Sequence, residues 1–196
     1  MTIAYYLSHP QVEIDPMVPV PSWGLSWVGR NRVESVRTRP WLSRIGRIVS
    51  SGETKAIETA QLIAEVTGAA VEVHEDMHEN DRSTTGFLPP NEFEAVADAF
   101  FAQPDQSVRG WETALSGQAR IVAAVRRVIG SQGDNPILFV GHGGVGTLLA
   151  CAIGNMPIDR RYDQGRCGAN PGGGNVHAFA SDCSATHFHW RPMEDL

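Results

Sequence analysis

The chain has 196 residues, of which 42% are hydrophobic, with a formal net charge of -6 and a pI of about 5.6. That length suits one domain, expected over residues 1–196, with enough apolar content to bury a core without disulfide or metal staples. The acidic balance excludes a global basic field for nucleic acid or an anionic membrane, and no apolar run approaches the ~20 residues needed to span a bilayer; a local pocket can still be positive.

Residues 2–8 (TIAYYLS) form an apolar run rich in β-formers and read as a buried strand, ended by His9-Pro10 because proline supplies no ladder donor. Residues 11–24, with Pro16, Pro19, Pro21 and Gly24, read as a loop. The spacing of Val28, Val33 and Val36 predicts a helix over residues 25–39, stopped at Pro40. A second strand is expected at 46–51. An amphipathic helix follows at 53–67, with Ala56, Thr59, Ala60, Ile63 and Val66 on its core stripe and Gly68 as its C′ residue.

A third strand is expected at 69–74, then a polar segment at 75–90 ending in Pro89-Pro90. Asn91, with Glu94 three positions on, predicts a capped helix start. Ile121, Val122, Val125, Val128 and Ile129 predict a helix over 112–130. Residues 136–141 (PILFVG) read as a buried strand running into His142 and an apolar helix to about Ile153. After a Gly-rich loop at 168–175 come strands at 175–180 and 186–190. Strands alternating with helices imply a three-layer α/β/α domain around a mostly parallel sheet. The N-terminus has no basic n-region of a signal peptide, and Cys151, Cys167 and Cys183 are odd in number and form no CxxC pair. Both features lead us to expect reduced thiols in a cytoplasmic protein.

The chemistry-bearing residues sit at strand ends. His9 and His142 each lie just past the carboxyl end of an apolar strand, where open α/β sheets bind ligands, and imidazole can act there as nucleophile or acid/base. Gly141-His142-Gly143-Gly144 opening a helix presents bare backbone N–H groups to an anion. Ser51-x3-Lys55-Ala56-x2-Thr59 puts a hydroxyl and a cation near another strand end. His74, His78, His177, His187 and His189 raise a metal hypothesis; His187 and His189 share one strand face, but no third and fourth ligand has recognisable spacing, so surface or structural histidines are expected.

Together these pieces resemble the histidine phosphatase superfamily, also called phosphoglycerate mutase-like, over roughly residues 2–155. The family runs Arg-His-Gly, Ser-x3-Arg-Ala-x2-Thr, Leu-x-Glu and Gly-His-Gly. Here the order is Leu7-Ser8-His9-Pro10, Ser51 to Thr59, Met77-His78-Glu79 and Val140-Gly141-His142-Gly143. The resemblance implies a catalytic set of His9 as nucleophile, Glu79 as proton donor and His142 as charge stabiliser. Its phosphate-binding positions fall on Ser8, Lys55 and Gly143, Arg82 of the polar loop is expected to join them, and no metal or organic cofactor is implied. Glu53, Glu75, Asp81 and Glu112 compete with Glu79 for the acid role.

Ser8, Pro10 and Lys55 depart from the family pattern, so two planar forks that grip phosphate bidentately are absent. Losing one preorganised donor commonly costs about 10²–10³ in turnover. Arg82 or Arg109, with Trp111 beside the latter, is the expected replacement in the pocket. Two readings follow: a phosphatase that hydrolyses a small phosphorylated substrate through a phosphohistidine on His9, or a catalytically weak or inactive phosphate-binding module. Both expect the two imidazoles to face one pocket that takes a phosphorylated small molecule or inorganic phosphate.

Overall fold

The computed structural model describes residues 2–130 and 135–196. In chain order the elements are β1 (Ile3–Ser8), α1 (Trp27–Ser35), β2 (Arg47–Ser51), α2 (Thr54–Thr67), β3 (Val71–His74), α3 (Pro90–Ala102), α4 (Ala114–Gly130), β4 (Ile137–Gly141), α5 (Gly143–Ile153), β5 (Asn175–Ala180) and β6 (Thr186–Pro192). The strands form one six-stranded sheet in the order β3-β2-β4-β1-β5-β6. Pairs β1–β4, β2–β4 and β2–β3 are parallel, whereas β1–β5 and β5–β6 are antiparallel. The mostly parallel three-layer expectation therefore holds, with the antiparallel part supplied by the C-terminal hairpin.

Strand periodicity divides the core. Tyr5, Leu7, Leu138 and Val140 point to one face and pack with Val33, Ala56, Ala60 and Ile63 of α1 and α2. Ala4, Tyr6, Ile137 and Phe139 point to the other and pack with Ile121, Val125, Val145 and Leu149 of α4 and α5. A smaller cluster of Val96, Phe100, Phe101, Trp111 and Leu148 seats α3. Covering both faces explains why β1 and β4 read as continuous apolar runs rather than alternating ones.

The bounds of α1 and the cap of α3 differ from expectation. The first helix is shorter than 25–39: Ser26 caps it by accepting from the Gly29 amide, Leu25 pairs with Val12 in an isolated bridge, and Trp27 and Val28 face solvent while Val33 and Val36 are buried. Asn91 does not cap α3. The helix begins one residue earlier at Pro90, whose fixed φ suits the first helical position and whose missing N–H costs nothing there. In α2 the stripe is as expected except that Val66 lies at its edge, and Gly68 takes the left-handed conformation at φ 71°. Among the described residues, no helix is long and apolar enough to cross a membrane.

The topology places the site. β2, β4 and β1 are adjacent and run the same way, so Ser51, Gly141 and Ser8 end at one edge of the sheet. The residues that follow them, Glu53, His142 and His9, converge there.

Candidate active site

The His9 and His142 rings face each other at 5.3 Å between centroids, inclined by 71°. The His9 amide donates to the Gly141 carbonyl at 2.9 Å, which ties the end of β1 to the end of β4. His9 Nδ1 lies 2.8 Å from the Pro10 carbonyl oxygen, so it carries the proton and Nε2 keeps its lone pair. Removal from bulk water, assisted by the Lys55 charge, holds the His9 pKa down at about 4. The resting ring is therefore neutral at pH 7.

His142 is fully buried, and burial likewise holds its pKa well below the ordinary value, against the pull of Glu53. Its Nε2 is 2.8 Å from Ser51 Oγ and 3.5 Å from Glu53 Oε1, and its Nδ1 has no hydrogen-bond partner among the described residues. Its backbone N–H donates to the Tyr6 hydroxyl at 3.2 Å.

Lys55 is buried at the start of α2, donating to the Val20 carbonyl at 2.8 Å and to Glu53 Oε2. It is thus not the free point charge expected from the sequence. Burial pushes the Glu53 carboxyl up, but His142, Lys55 and the Glu79 amide outweigh it and hold the group at about 2. Glu53 is an ionised partner to Lys55 and His142 rather than an acid, which removes it as a competitor of Glu79.

Glu79 comes from the polar segment and sits on the N-terminus of α5. The Gly144 and Val145 amides donate to its Oε2 and Oε1 at 3.1 and 2.9 Å, and the Asn80 amide donates at 3.0 Å. A side chain at Gly144 would meet Glu79 Oε1 at 2.7 Å, so glycine is what lets the carboxylate approach. Arg120 of α4 grips this segment from behind, donating to the carbonyls of Asp76, His78 and Glu79 and pairing with Glu112 at 2.6 Å. Glu112 is thereby committed to Arg120, and Asp81 accepts from the Ser83 amide. Glu75 remains on the cavity wall.

Two hollows share His9 in their walls. One, of about 680 Å³, is walled by His9, His142, Glu53, Lys55, Glu79 and Arg82, with Val12, Pro19, Val20, Pro21 and Trp23 on its apolar side. The other, of about 720 Å³, shares His9, Glu79 and Arg82 and reaches Gly143, Trp111, Asp163 and Gln164. Arg82 stacks on the Phe93 ring at 5.0 Å, and its guanidinium makes no hydrogen bond to the described residues. Among the described residues beside His9 and His142, Arg82 is thus a cation without a carboxylate partner, whereas Lys55 is paired with Glu53.

Two expected phosphate or pocket residues lie elsewhere. Arg109 is half-exposed at φ 53°, pairs with Glu92 at 3.3 Å and lines neither hollow. Ser8 is fully buried and lines neither hollow; its hydroxyl donates to Gln164 Oε1 at 2.6 Å and accepts from the Asn175 amide at 3.1 Å. Gln164 and Asn80 escaped sequence reading, because single amides in loops carry no periodic or spacing signal.

Among the described residues, no three His, Cys, Asp or Glu side chains converge to hold a metal. His177 is buried between Tyr6 and Trp190, His187 and His189 project from the exposed face of β6, and His78 bonds the Glu79 carbonyl.

The family model for the histidine phosphatase superfamily (branch 1) matches residues 20–170. The chain belongs to that superfamily. The matched stretch contains Glu79 and His142 and begins after His9. No curated protein sequence matches this histidine phosphatase. Solved structures share its fold. A mycobacterial glucosyl-3-phosphoglycerate phosphatase in complex with inorganic phosphate is 20% identical at a TM-score of 0.78, covering 99% of both chains. A phosphoserine phosphatase from Entamoeba histolytica, in complex with 3-phosphoglyceric acid, is 16% identical at a TM-score of 0.76, covering 100% of both. YhfR of Bacillus stearothermophilus is 19% identical at a TM-score of 0.75, covering 95% of both.

Proposed function

We propose that this histidine phosphatase is a phosphomonoesterase, acting as one domain in the cytoplasm on a small phosphorylated substrate without metal or organic cofactor. The observation that carries the reading is a neutral His9 whose Nδ1 is anchored on Pro10, leaving Nε2 unprotonated and opposite His142. The Nε2 lone pair attacks phosphorus, and the bond to the leaving oxygen breaks as Glu79 in its acid form delivers a proton. Water then attacks the phosphohistidine, Glu79 takes the water's proton, and the P–N bond returns its electron pair to His9. Arg82, Lys55, His142 and the Gly143 amide bear the charge on the equatorial oxygens, and Glu53 supports a proton on His142 as that charge arrives.

The structural neighbours, named as a glucosyl-3-phosphoglycerate phosphatase and a phosphoserine phosphatase, support a small phosphorylated metabolite as the substrate class. A second reading, a weak or inactive phosphate-binding module, is favoured by the Lys55–Glu53 pair, which spends one of the site's cations internally.

One experiment separates them: phosphate release from a panel of phosphomonoesters, with and without chelator, beside trapping of an acid-labile, base-stable phosphoprotein. We expect release that survives chelator and is lost in His9→Ala with the fold intact. Phosphate binding with no turnover across the panel and no phosphohistidine would establish the module instead.

A further inference from the structure

We propose that the Gln164 carboxamide is a built phosphate donor of this site, held in a single orientation by Ser8 and Asn175; the inference rests on the phosphomonoesterase reading and deepens it. The orientation follows from backbone groups that can play only one role. The Asn170 amide is a donor, so the Asn175 atom 2.9 Å from it is the carbonyl Oδ1, and Asn175 Nδ2 must face the Asn170 carbonyl at 2.7 Å and Gln164 at 2.8 Å. The Asn175 amide donates to Ser8 Oγ at 3.1 Å, and of the two acceptors within reach of the Ser8 proton Gln164 Oε1 at 2.6 Å is much nearer than the Asn175 carbonyl at 3.4 Å. Gln164 therefore presents its oxygen to two donors, and its Nε2 is turned the other way.

That nitrogen lies over the start of α5. A Cβ at Gly143 would come within 2.1 Å of Gln164 Nε2, so the close approach exists only because residue 143 is glycine. Nε2 makes no hydrogen bond to the described residues, and Gln164 shares a hollow with His9, Arg82 and Gly143. Two N–H groups beside a helix N-terminus, on a hollow that His9 also lines, suit the oxygens of a tetrahedral oxyanion. Ser8, buried and 156 residues away in sequence, is a positioning residue: it acts through Gln164.

Orthophosphate binding, read by calorimetry, tests this alongside hydrolysis of p-nitrophenyl phosphate. Gln164→Glu keeps the shape and the acceptor for Ser8 and Asn175 but turns an oxygen toward the anion. Gln164→Met keeps the length and removes the donor, should the acidic variant not fold. We expect either variant to weaken orthophosphate binding by about 10- to 100-fold, the worth of one hydrogen bond to a charged group. Ser8→Ala should weaken it in the wild-type background and add nothing in Gln164→Met, as a double-mutant cycle requires if Ser8 works through Gln164.

Orthophosphate affinity and turnover unchanged in both Gln164 variants, while His9→Ala abolishes turnover, would overturn this inference and leave the phosphomonoesterase standing. Gln164-dependent phosphate binding with no turnover would uphold it and remove the enzyme reading. A wild-type protein that binds no orthophosphate and releases none from any phosphomonoester would overturn both.

Discussion

Lys55 acts on His9 at a distance, and the sign of its effect is testable. Burial and then the Lys55 charge oppose protonation of His9, holding it at about 4 against an ordinary 6.5. Nucleophilic attack needs the neutral ring, so loss of activity through this group begins only as pH falls through about 4. Removing Lys55 takes away a positive neighbour and leaves Glu53 without its cation; both changes favour protonated His9. In Lys55→Met the acid limb of kcat/KM should therefore move upward toward 6.5, after allowance for the substrate's own ionisation near about 6. An acid limb that stays in place would mean that burial alone sets the His9 pKa. Glu53 earns a role here that its position suggested only as a rival acid.

The element that holds the segment of Glu79, the proposed acid, is α4, which contributes no residue to the proposed chemistry. Through Arg120 it binds carbonyls of Asp76, His78 and Glu79 while satisfying Glu112, so the Glu79 segment is held from behind as α5 receives its carboxylate in front. Arg120→Leu strands those carbonyls and leaves Glu112 half-buried without its partner. We expect a loss of about 2–3 kcal/mol in unfolding free energy, partial because water reaches some of the freed groups. Urea unfolding measures it. The same variant should lose turnover in conditions where it remains folded, because Glu79 is no longer fixed. The two effects come apart if the loop is held by α5 alone: stability would then fall with turnover intact.

Across the whole molecule, the sheet carries an acid liability. His177 on β5 is enclosed by Tyr6 and Trp190, its Nε2 lacks a partner among the described residues, and burial foremost drives its pKa to about 3. The unfolded chain takes a proton on this residue below about 6.5, while the folded chain refuses it down to about 3. Stability from this group is thus fully present above about 6.5 and declines by up to about 1.4 kcal/mol per pH unit below it. His177→Phe keeps a flat ring and removes the titration. Between pH 7.5 and pH 5 we expect the variant to gain about 2 kcal/mol relative to the wild type, read from urea unfolding of both proteins at both values. An offset that is the same at both pH values would show that His177 does not oppose protonation in the fold.

Much of this architecture was legible in the sequence, because it is encoded over a few residues. Apolar runs marked β1 and β4, a stripe with Gly68 marked α2, and strand ends marked His9 and His142, whose meeting then followed from parallel neighbours. The structure decided what depends on residues far apart in the chain. It chose Arg82 over Arg109, because Arg109 closes a surface turn onto Glu92. It paired Lys55 with Glu53 across the first turn of α2, and it turned Ser8 inward to Gln164 and Asn175 rather than outward to an anion. Periodicity reports which face of an element is buried; it carries no information about which polar side chain from another loop arrives there. That is settled only when the sheet order brings β1, β4 and β5 side by side, where each buried donor must find an acceptor.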